Sequence, residues 1–368
     1  MQALVDGSLL MTEALVKSGA DVFIGYPITP ANNLYAYSGK RFKTFLAAPD
    51  EITTLQWMCG FSAAGRLPVT ATSFPGFALM LESINLAYMM ELPMVIVLVQ
   101  RLGPATGTAT SGAQGELSLL RGMLSGGYSL PVISTSSASD CWDLADHAVK
   151  TAARLRTPVV LLTSKEEVMT QFSFDMESLN EIKPVERTFY EGNEPYLPYK
   201  RNEELVPGFL PVGNGKHQVR LTGSTHNEKG ILEGLSPEAL ENTRRIHGKI
   251  EKNLTTYLHY ELDERAGADT LLVSYGITAN AAREAALLLG KENIPVSLLI
   301  PKTLIPTPEI YVEVIKSYKN VIIAEENHTG QFRQLLFGAS VPDNVHSVNK
   351  IGHMIDPSEI IEEVKKHE

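Results

Sequence analysis

At 368 residues, 44% of them hydrophobic, the chain is too large for one small module and has apolar mass for two or three domains of the usual ~150 residues. A net charge of −10 removes bulk attraction to nucleic acid or anionic lipid, so no nucleic acid and no membrane is expected as a partner. Its two cysteines, Cys59 and Cys141, are too few for a self-contained four-thiolate zinc site or iron–sulfur cluster, and they fit a reduced, cytoplasmic setting.

In chain order, Asp6 is placed to cap a helix over 9–16, which Gly19 ends where a left-handed C-cap belongs. A strand over 22–25 then feeds the turn Tyr26-Pro27-Ile28-Thr29-Pro30. Asp50 opens a helix over 52–64, and further helices are predicted over 79–90 and 138–154. Between them lie short, non-alternating, β-branched runs at 69–72, 95–99 and 159–162, the pattern of parallel strands covered on both faces. This α/β rhythm over 1–171 predicts a right-handed, doubly wound sheet. Residues 172–265 are rich in Asn, Glu, Pro and Gly and read as an irregular connecting segment that ends in a polar helix near 237–265. From 266 to 368 the rhythm resumes, with strands predicted at 270–274, 296–299, 321–325 and 345–349 and helices at 279–289, 308–318 and 358–366. The fold class is therefore α/β with two parallel-sheet domains.

Generic catalytic patterns are mostly missing. The chain has no phosphate loop, no strand-turn-helix G-x-G-x-x-G and no G-x-S-x-G elbow. Gly213-Asn214-Gly215-Lys216 follows no strand and reads as a turn, while His217, His226, His247 and His259 read as scattered surface or loop residues. No metal-ligating set is assigned to this chain. The densest basic run, Arg244-Arg245-Ile246-His247-Gly248-Lys249, has no interleaved aromatic platform.

The informative stretch runs from Gly25 to Gly115, where four loops follow strands or open helices and bring a Thr, a Glu, a Ser and an Arg toward one end of the sheet. In open α/β sheets that end is where ligands bind. Taken singly, each loop is an ordinary connection; Glu51 alone is a common structural carboxylate at a helix start. Their conjunction is what predicts a site.

In order and spacing, Tyr26-Pro27-Ile28-Thr29-Pro30, Asp50-Glu51-Ile52, Thr72-Ser73-x-Pro75-Gly76-Phe77 and Gln100-Arg101-x-Gly103-Pro104-x-Thr106-Gly107 resemble the alpha subunit of 2-oxoacid:ferredoxin oxidoreductases. The likeness continues through Arg156-Thr157-Pro158-Val159, Thr222-Gly223-x-x-His226-x-Glu228-x-Gly230 and Asn349-Lys350-Ile351-Gly352, and so covers nearly the whole chain. It implies a thiamine-diphosphate pyrimidine-binding fold followed by a transketolase C-terminal-like domain concerned with assembly. The cofactor would be shared with a beta subunit holding the diphosphate, Mg2+ and a [4Fe-4S] cluster. CoA would be co-substrate, ferredoxin the acceptor, and gamma and delta subunits further partners.

The resemblance also implies residue roles. Glu51 would hydrogen-bond the pyrimidine N1′ atom, where a carboxylate favours the imino tautomer that can take the thiazolium C2 proton. Ile28, Pro30, Ser73, Pro75, Gly76 and Phe77 would be loop residues lining the pyrimidine pocket. Thr29 would donate to the substrate, and Arg101 would either pair with its anion or tie loops together. Departures from the family pattern fall at Pro49-Asp50-Glu51, at Phe74 in place of a glycine, at Ala109-Thr110-Ser111 in place of Pro-Thr-Lys, and at Ser125-Gly126-Gly127 in place of His-Gly-acid. Ser111 thus marks the substrate-binding position that has lost a lysine. The alternative is a scaffold or assembly subunit with this fold and no turnover; retention of Glu51, Thr29 and Arg101 speaks against it.

Overall fold

The computed structural model describes residues 1–368. The chain runs β1 (Gln2–Val5), α1 (Gly7–Lys17), β2 (Val22–Gly25), α2 (Asn32–Arg41), β3 (Thr44–Ala47), α3 (Glu51–Ala63), β4 (Pro68–Thr72), α4 (Phe74–Met89) and β5 (Met94–Gln100). It continues with α5 (Leu117–Gly122), β6 (Val132–Ser134), α6 (Ala138–Leu155), β7 (Pro158–Ser164), α7 (Lys165–Met169) and β8 (Phe172–Asp175). After a long irregular stretch come α8 (Pro237–Lys252), β9 (Tyr260–Asp263), β10 (Thr270–Ser274), α9 (Thr278–Lys291), β11 (Val296–Pro301) and β12 (Thr303–Ile305). α10 (Glu309–Ile315), β13 (Asn320–Glu325), α11 (Gln331–Phe337), β14 (Val345–Asn349) and α12 (Pro357–Lys366) close it.

The first sheet has the order β12-β6-β7-β5-β4-β2-β3. Its strands are parallel except β12, which pairs antiparallel with β6 from the far end of the chain. β5 shows why the central runs do not alternate. Val95, Val97 and Val99 point into a core formed with α1 and α6, whereas Met94, Ile96 and Leu98 point into one formed with α3 and α4. Successive side chains of a strand face opposite ways, so burial on both faces requires an apolar residue at every position. Within that sheet β3 lies to one side of β2 and β4 to the other. The strand order therefore reverses at β2, the kind of position at which open α/β sheets form a crevice beyond the carboxyl ends of their strands.

The second sheet has the order β14-β13-β10-β11-β9. It corrects the purely parallel expectation: β9 runs antiparallel to β11. Leu271 and Val273 of β10 join the α3/α4 core, and Leu272 faces the core under α9 and α12. One apolar layer is thus shared by the two sheets.

Other differences have local causes. α4 begins at Phe74 rather than 79, because Pro75 sits where the helix needs no N–H and presets φ. α8 stops at Lys252 and is followed by β9, so the polar helix is shorter than predicted. The basic run is not a surface patch. Arg245 and Lys249 are buried on Glu91, at 2.5 and 3.6 Å. Burial opposes ionisation of Glu91, but Lys249, Arg245 and Arg156 outweigh it and hold the carboxyl below its usual range. Among the middle histidines, His226 is fully buried under Tyr199, with ring centroids 3.9 Å apart. Gly213–Lys216 is a turn, as expected. No helix is long and apolar enough to cross a membrane.

Candidate active site

The crevice is built from the ends of β2, β3, β4 and β5. After β3, Asp50 accepts the Thr53 N–H at 2.7 Å and caps α3, which fixes Glu51 as its first residue. Glu51 is only 6% exposed. Burial pushes its carboxyl above the ordinary range; its own backbone N–H pulls the other way, and the Asp50 carboxylate adds a smaller upward push. Burial and the positive end of the helix act on this acid in opposite directions, and burial prevails.

Beyond β4, the first turn of α4 comes down onto that acid. A β-carbon at Gly76 would overlap the Glu51 carboxylate and the Thr72 hydroxyl, so only glycine fits. Ser73 occupies the N-cap position of α4, fully buried, with its hydroxyl unpartnered. Pro75, Gly76 and Phe77 are helical rather than loop residues, which corrects the expectation. Phe77 is completely buried in the core beneath the crevice.

Beyond β2 and β5, Arg101 reaches across and donates from Nη1 to the Thr29 carbonyl at 2.7 Å. The Thr29 hydroxyl accepts from the Asn32 amide at 3.0 Å, leaving its own proton to donate elsewhere. Ile28 beside it is half-buried and Pro30 buried. Arg101 is itself buried, and its Nε has no partner. Burial lowers its hold on the proton, against the opposing pull of Glu116.

Glu116 carries no sequence signal of its own beyond lying shortly after the Gln100-Arg101 motif. It is buried and accepts from the Gln100 amide at 2.7 Å. Burial pushes its carboxyl up to about 7, against the Gln100 hydrogen bond and neighbouring backbone N–H groups. Nearby, Gln114 ties this loop to the second sheet, exchanging backbone and side-chain hydrogen bonds with Glu326 at 2.8 and 2.7 Å. A cavity of about 250 Å3 lies between Phe74, Gly103, Pro104 and Glu116 on one side and Glu326 and Thr329 on the other. A larger cleft of about 1050 Å3 between Tyr190 and Ile231 touches none of the four strand-end loops. Chemistry, not volume, locates the site.

The structure therefore joins Thr29 to Arg101, and Glu51 to Thr72 and Gly76. Ser111 stands apart: its carbonyl accepts the Leu102 N–H at 2.7 Å, and no hydrogen bond links it to Thr29, Glu51 or Arg101. Ser125 donates its N–H to Asn85 at 3.2 Å in the turn after α5. Cys59 and Cys141 are buried in separate cores, and burial pushes the Cys59 thiol up to about 12.

A family model described as pyruvate flavodoxin/ferredoxin oxidoreductase, thiamine-diphosphate-binding, matches residues 13–243, and one for the transketolase C-terminal domain matches 259–341. The 2-oxoglutarate synthase subunit KorA of Methanocaldococcus jannaschii is 30% identical over 97% of this chain and 97% of its own. The ketoisovalerate oxidoreductase subunit VorB of Methanothermobacter thermautotrophicus is 28% identical over 99% of this chain and 97% of its own. A solved 2-oxoglutarate:ferredoxin oxidoreductase from Magnetococcus marinus, holding 2-oxoglutarate, coenzyme A and succinyl-CoA, matches with a TM-score of 0.90 and 27% identity. That match covers 99% of this chain and 65% of the other. With most of its length matched, and with relatives of this kind along its whole length, the chain belongs to the family of 2-oxoacid:ferredoxin oxidoreductase subunits whose first region is a thiamine-diphosphate-binding domain.

Proposed function

We propose that this chain is the alpha subunit of a thiamine-diphosphate-dependent oxidoreductase. It converts a 2-oxoacid and CoA to acyl-CoA and CO2, with electrons passing to ferredoxin. The observation that carries the reading is Glu51, a buried carboxylate at the start of α3 facing the glycine cradle at Gly76. The residues fit the pyrimidine end of thiamine diphosphate. Glu51 can hold N1′, Gly76 keeps the approach open, and the orphaned Ser73 hydroxyl offers a further polar contact. Ile28, Pro30 and Pro75 would supply the remaining wall, with Phe77 packed in the core beneath it. When bound, the cofactor supplies a carbon nucleophile for the 2-oxoacid carbonyl.

The chain's own part is acid–base and electrostatic. Glu51 exchanges a proton at N1′, and its burial brings its proton affinity toward working pH. Arg101 positions the Thr29 loop through the Thr29 carbonyl, and its unpartnered Nε adds positive charge where the substrate carboxylate would lie. Thr29 donates its free hydroxyl proton to the same anion or to the adjacent carbonyl.

We assign the diphosphate, Mg2+ and [4Fe-4S] sites to a beta subunit, since this chain has no Gly-Asp-Gly metal motif and only two buried cysteines. Gamma and delta subunits and ferredoxin complete the set of partners, in the cytoplasm. Residues 1–171 would form the pyrimidine-binding unit, 172–265 the connection and 266–368 the assembly unit. The test is calorimetry with cofactor and Mg2+ on the chain alone and on the assembled complex. Weak or no binding alone and tight binding in the complex are expected; micromolar affinity without a partner defeats the split site.

A further inference from the structure

At the far edge of the second sheet, away from the crevice, three side chains unused by the proposed reaction converge. His346 lies on the edge strand β14, Glu363 lies in the last turn of α12, and His367 is the residue that caps its C-terminal end. One ligand atom from each falls within 4.8 Å of the others. We propose that His346, Glu363 and His367 bind a zinc-type divalent ion that clamps the end of α12 to β14.

The donor set selects the metal class. Two imidazoles and one carboxylate suit Zn2+ and its neighbours in the first transition row, whereas Ca2+ and Mg2+ require oxygen ligands. The orientation is also set. Lys366 takes Glu363 Oε2 at 2.8 Å, which leaves Oε1 facing His367 Nε2 at 3.2 Å. One carboxylate oxygen thus faces the His367 imidazole, with a His346 nitrogen within 4.8 Å of the other ligand atoms.

The two rings stack with centroids 3.4 Å apart and planes at 11°. The stack brings the two imidazoles to one place with their in-plane lone pairs in parallel planes. Ligation would turn the rings out of the parallel stack so that both planes contain the ion. The backbone beneath is held for this. The His367 carbonyl accepts from Asn320 at 2.7 Å, and Ile360 and Val364 anchor α12 in the core. Linear spacing hides the site because His346 and Glu363 come from different elements and meet only through the fold.

The test is calorimetry with ZnCl2 on the metal-stripped full chain, followed by Co2+ substitution read by its visible d–d bands. One ion per chain is expected, with tetrahedral-type Co2+ bands. Loss of a supporting residue around such ions costs roughly 10–100-fold in affinity, so losing a ligand in His346→Ala or His367→Ala should cost at least that. Glu363→Gln, which keeps both imidazoles and the fold, should weaken binding less. Circular dichroism and catalytic turnover should be unchanged in all three, since none lies in the proposed reaction site. No binding, or one-to-one binding that survives both histidine substitutions, overturns the proposal.

Discussion

Gly76 and the Glu51 carboxylate occupy adjoining space that a single methyl group would overfill. The contact joins the starts of α4 and α3, two helices consecutive around the crevice, and it makes the position of the acid depend on the absence of a side chain. Gly76→Ala should therefore displace the carboxylate rather than simply perturb a helix in which alanine is otherwise favoured. Overpacking of this kind costs about 1–3 kcal/mol. We expect a folded chain, less stable in urea by that amount, whose assembled complex turns over at least roughly tenfold more slowly. Wild-type turnover in Gly76→Ala would separate the cradle from the chemistry.

Glu51→Gln keeps the shape and removes the exchangeable proton. General acid–base catalysis is typically worth ~10²–10⁴-fold, so kcat of the reconstituted complex should fall by that order while cofactor affinity changes much less. Exchange of the cofactor's C2 proton, followed by NMR, should fall in parallel. Activity unchanged in this variant would instead favour a scaffold role for the chain.

What the sequence makes legible follows from burial. β4, β5 and β7 announce themselves because both their faces are covered, leaving unbroken apolar runs. β3 does not, because Thr44–Ala47 is half-exposed and only four residues long. β12 cannot be read locally, since the partner that defines it, β6, lies on the other side of the connecting segment. The start of α4 is misread for a chemical reason. Pro75 and Gly76 look like helix breakers, but one is favoured in a first turn and the other is demanded by Glu51. In the site, motif order announces Glu51, Thr29 and Arg101, but the hydrogen bond joining Thr29 to Arg101 spans 72 residues and exists only in the fold.

That hydrogen bond gives the third expectation. Removing Arg101 leaves the Thr29 carbonyl without its donor and, on the proposed reading, a substrate carboxylate without a cation. Hydrogen bonds to charged groups are worth about 1.5–3 kcal/mol, roughly 10–150-fold. Arg101→Ala should raise KM for the 2-oxoacid by about that factor with a smaller change in kcat. Arg101→Lys should recover part of it, since one ammonium cannot serve both the carbonyl and the anion as a guanidinium fork can. Equal KM values in all three proteins would leave Arg101 with no role in binding.

Glu116 should make stability depend on pH in the direction opposite to an ordinary surface acid. Burial raises its carboxyl from 4.5 to about 7 in the folded chain. Between those values the folded state binds more protons than the unfolded state. The contribution is therefore complete below pH 4.5 and is lost as pH rises through about 7. Its size is on the order of 3 kcal/mol. Glu116→Gln should flatten the fall in urea stability between about pH 5 and about pH 8 by that amount, leaving a residual slope from Glu167, which burial also pushes up to about 7. Parallel curves for the two proteins would show that Glu116 is ionised throughout.

The expectation for substrate choice rests on Ser111 as the proposed substrate-binding position. The relatives named above act in part on 2-oxoglutarate and in part on ketoisovalerate, so kinship does not decide it. Ser111 stands where the Pro-Thr-Lys pattern places a lysine, the residue suited to a distal carboxylate. It is half-buried, with its carbonyl tied to Leu102. The next residue, Gly112, has no room for a β-carbon against the Glu166 carboxylate, whose Oε2 is buried and unpartnered. Position 111 itself supplies no cation, and the nearby Lys165 ammonium lies 3.8 Å from the other Glu166 oxygen, which balances it. A desolvated carboxylate lacking its cationic partner loses several kcal/mol, whereas one missing pocket methylene loses only about 1–3. The native complex should accordingly show a higher kcat/KM for 3-methyl-2-oxobutanoate than for 2-oxoglutarate. Ser111→Lys should move the ratio toward 2-oxoglutarate by about tenfold or more, equivalent to about 1.4 kcal/mol in transition-state binding. A wild-type preference for 2-oxoglutarate of about tenfold or more would mean that a cation from the partner subunit fills the gap, and that Ser111 does not set the choice.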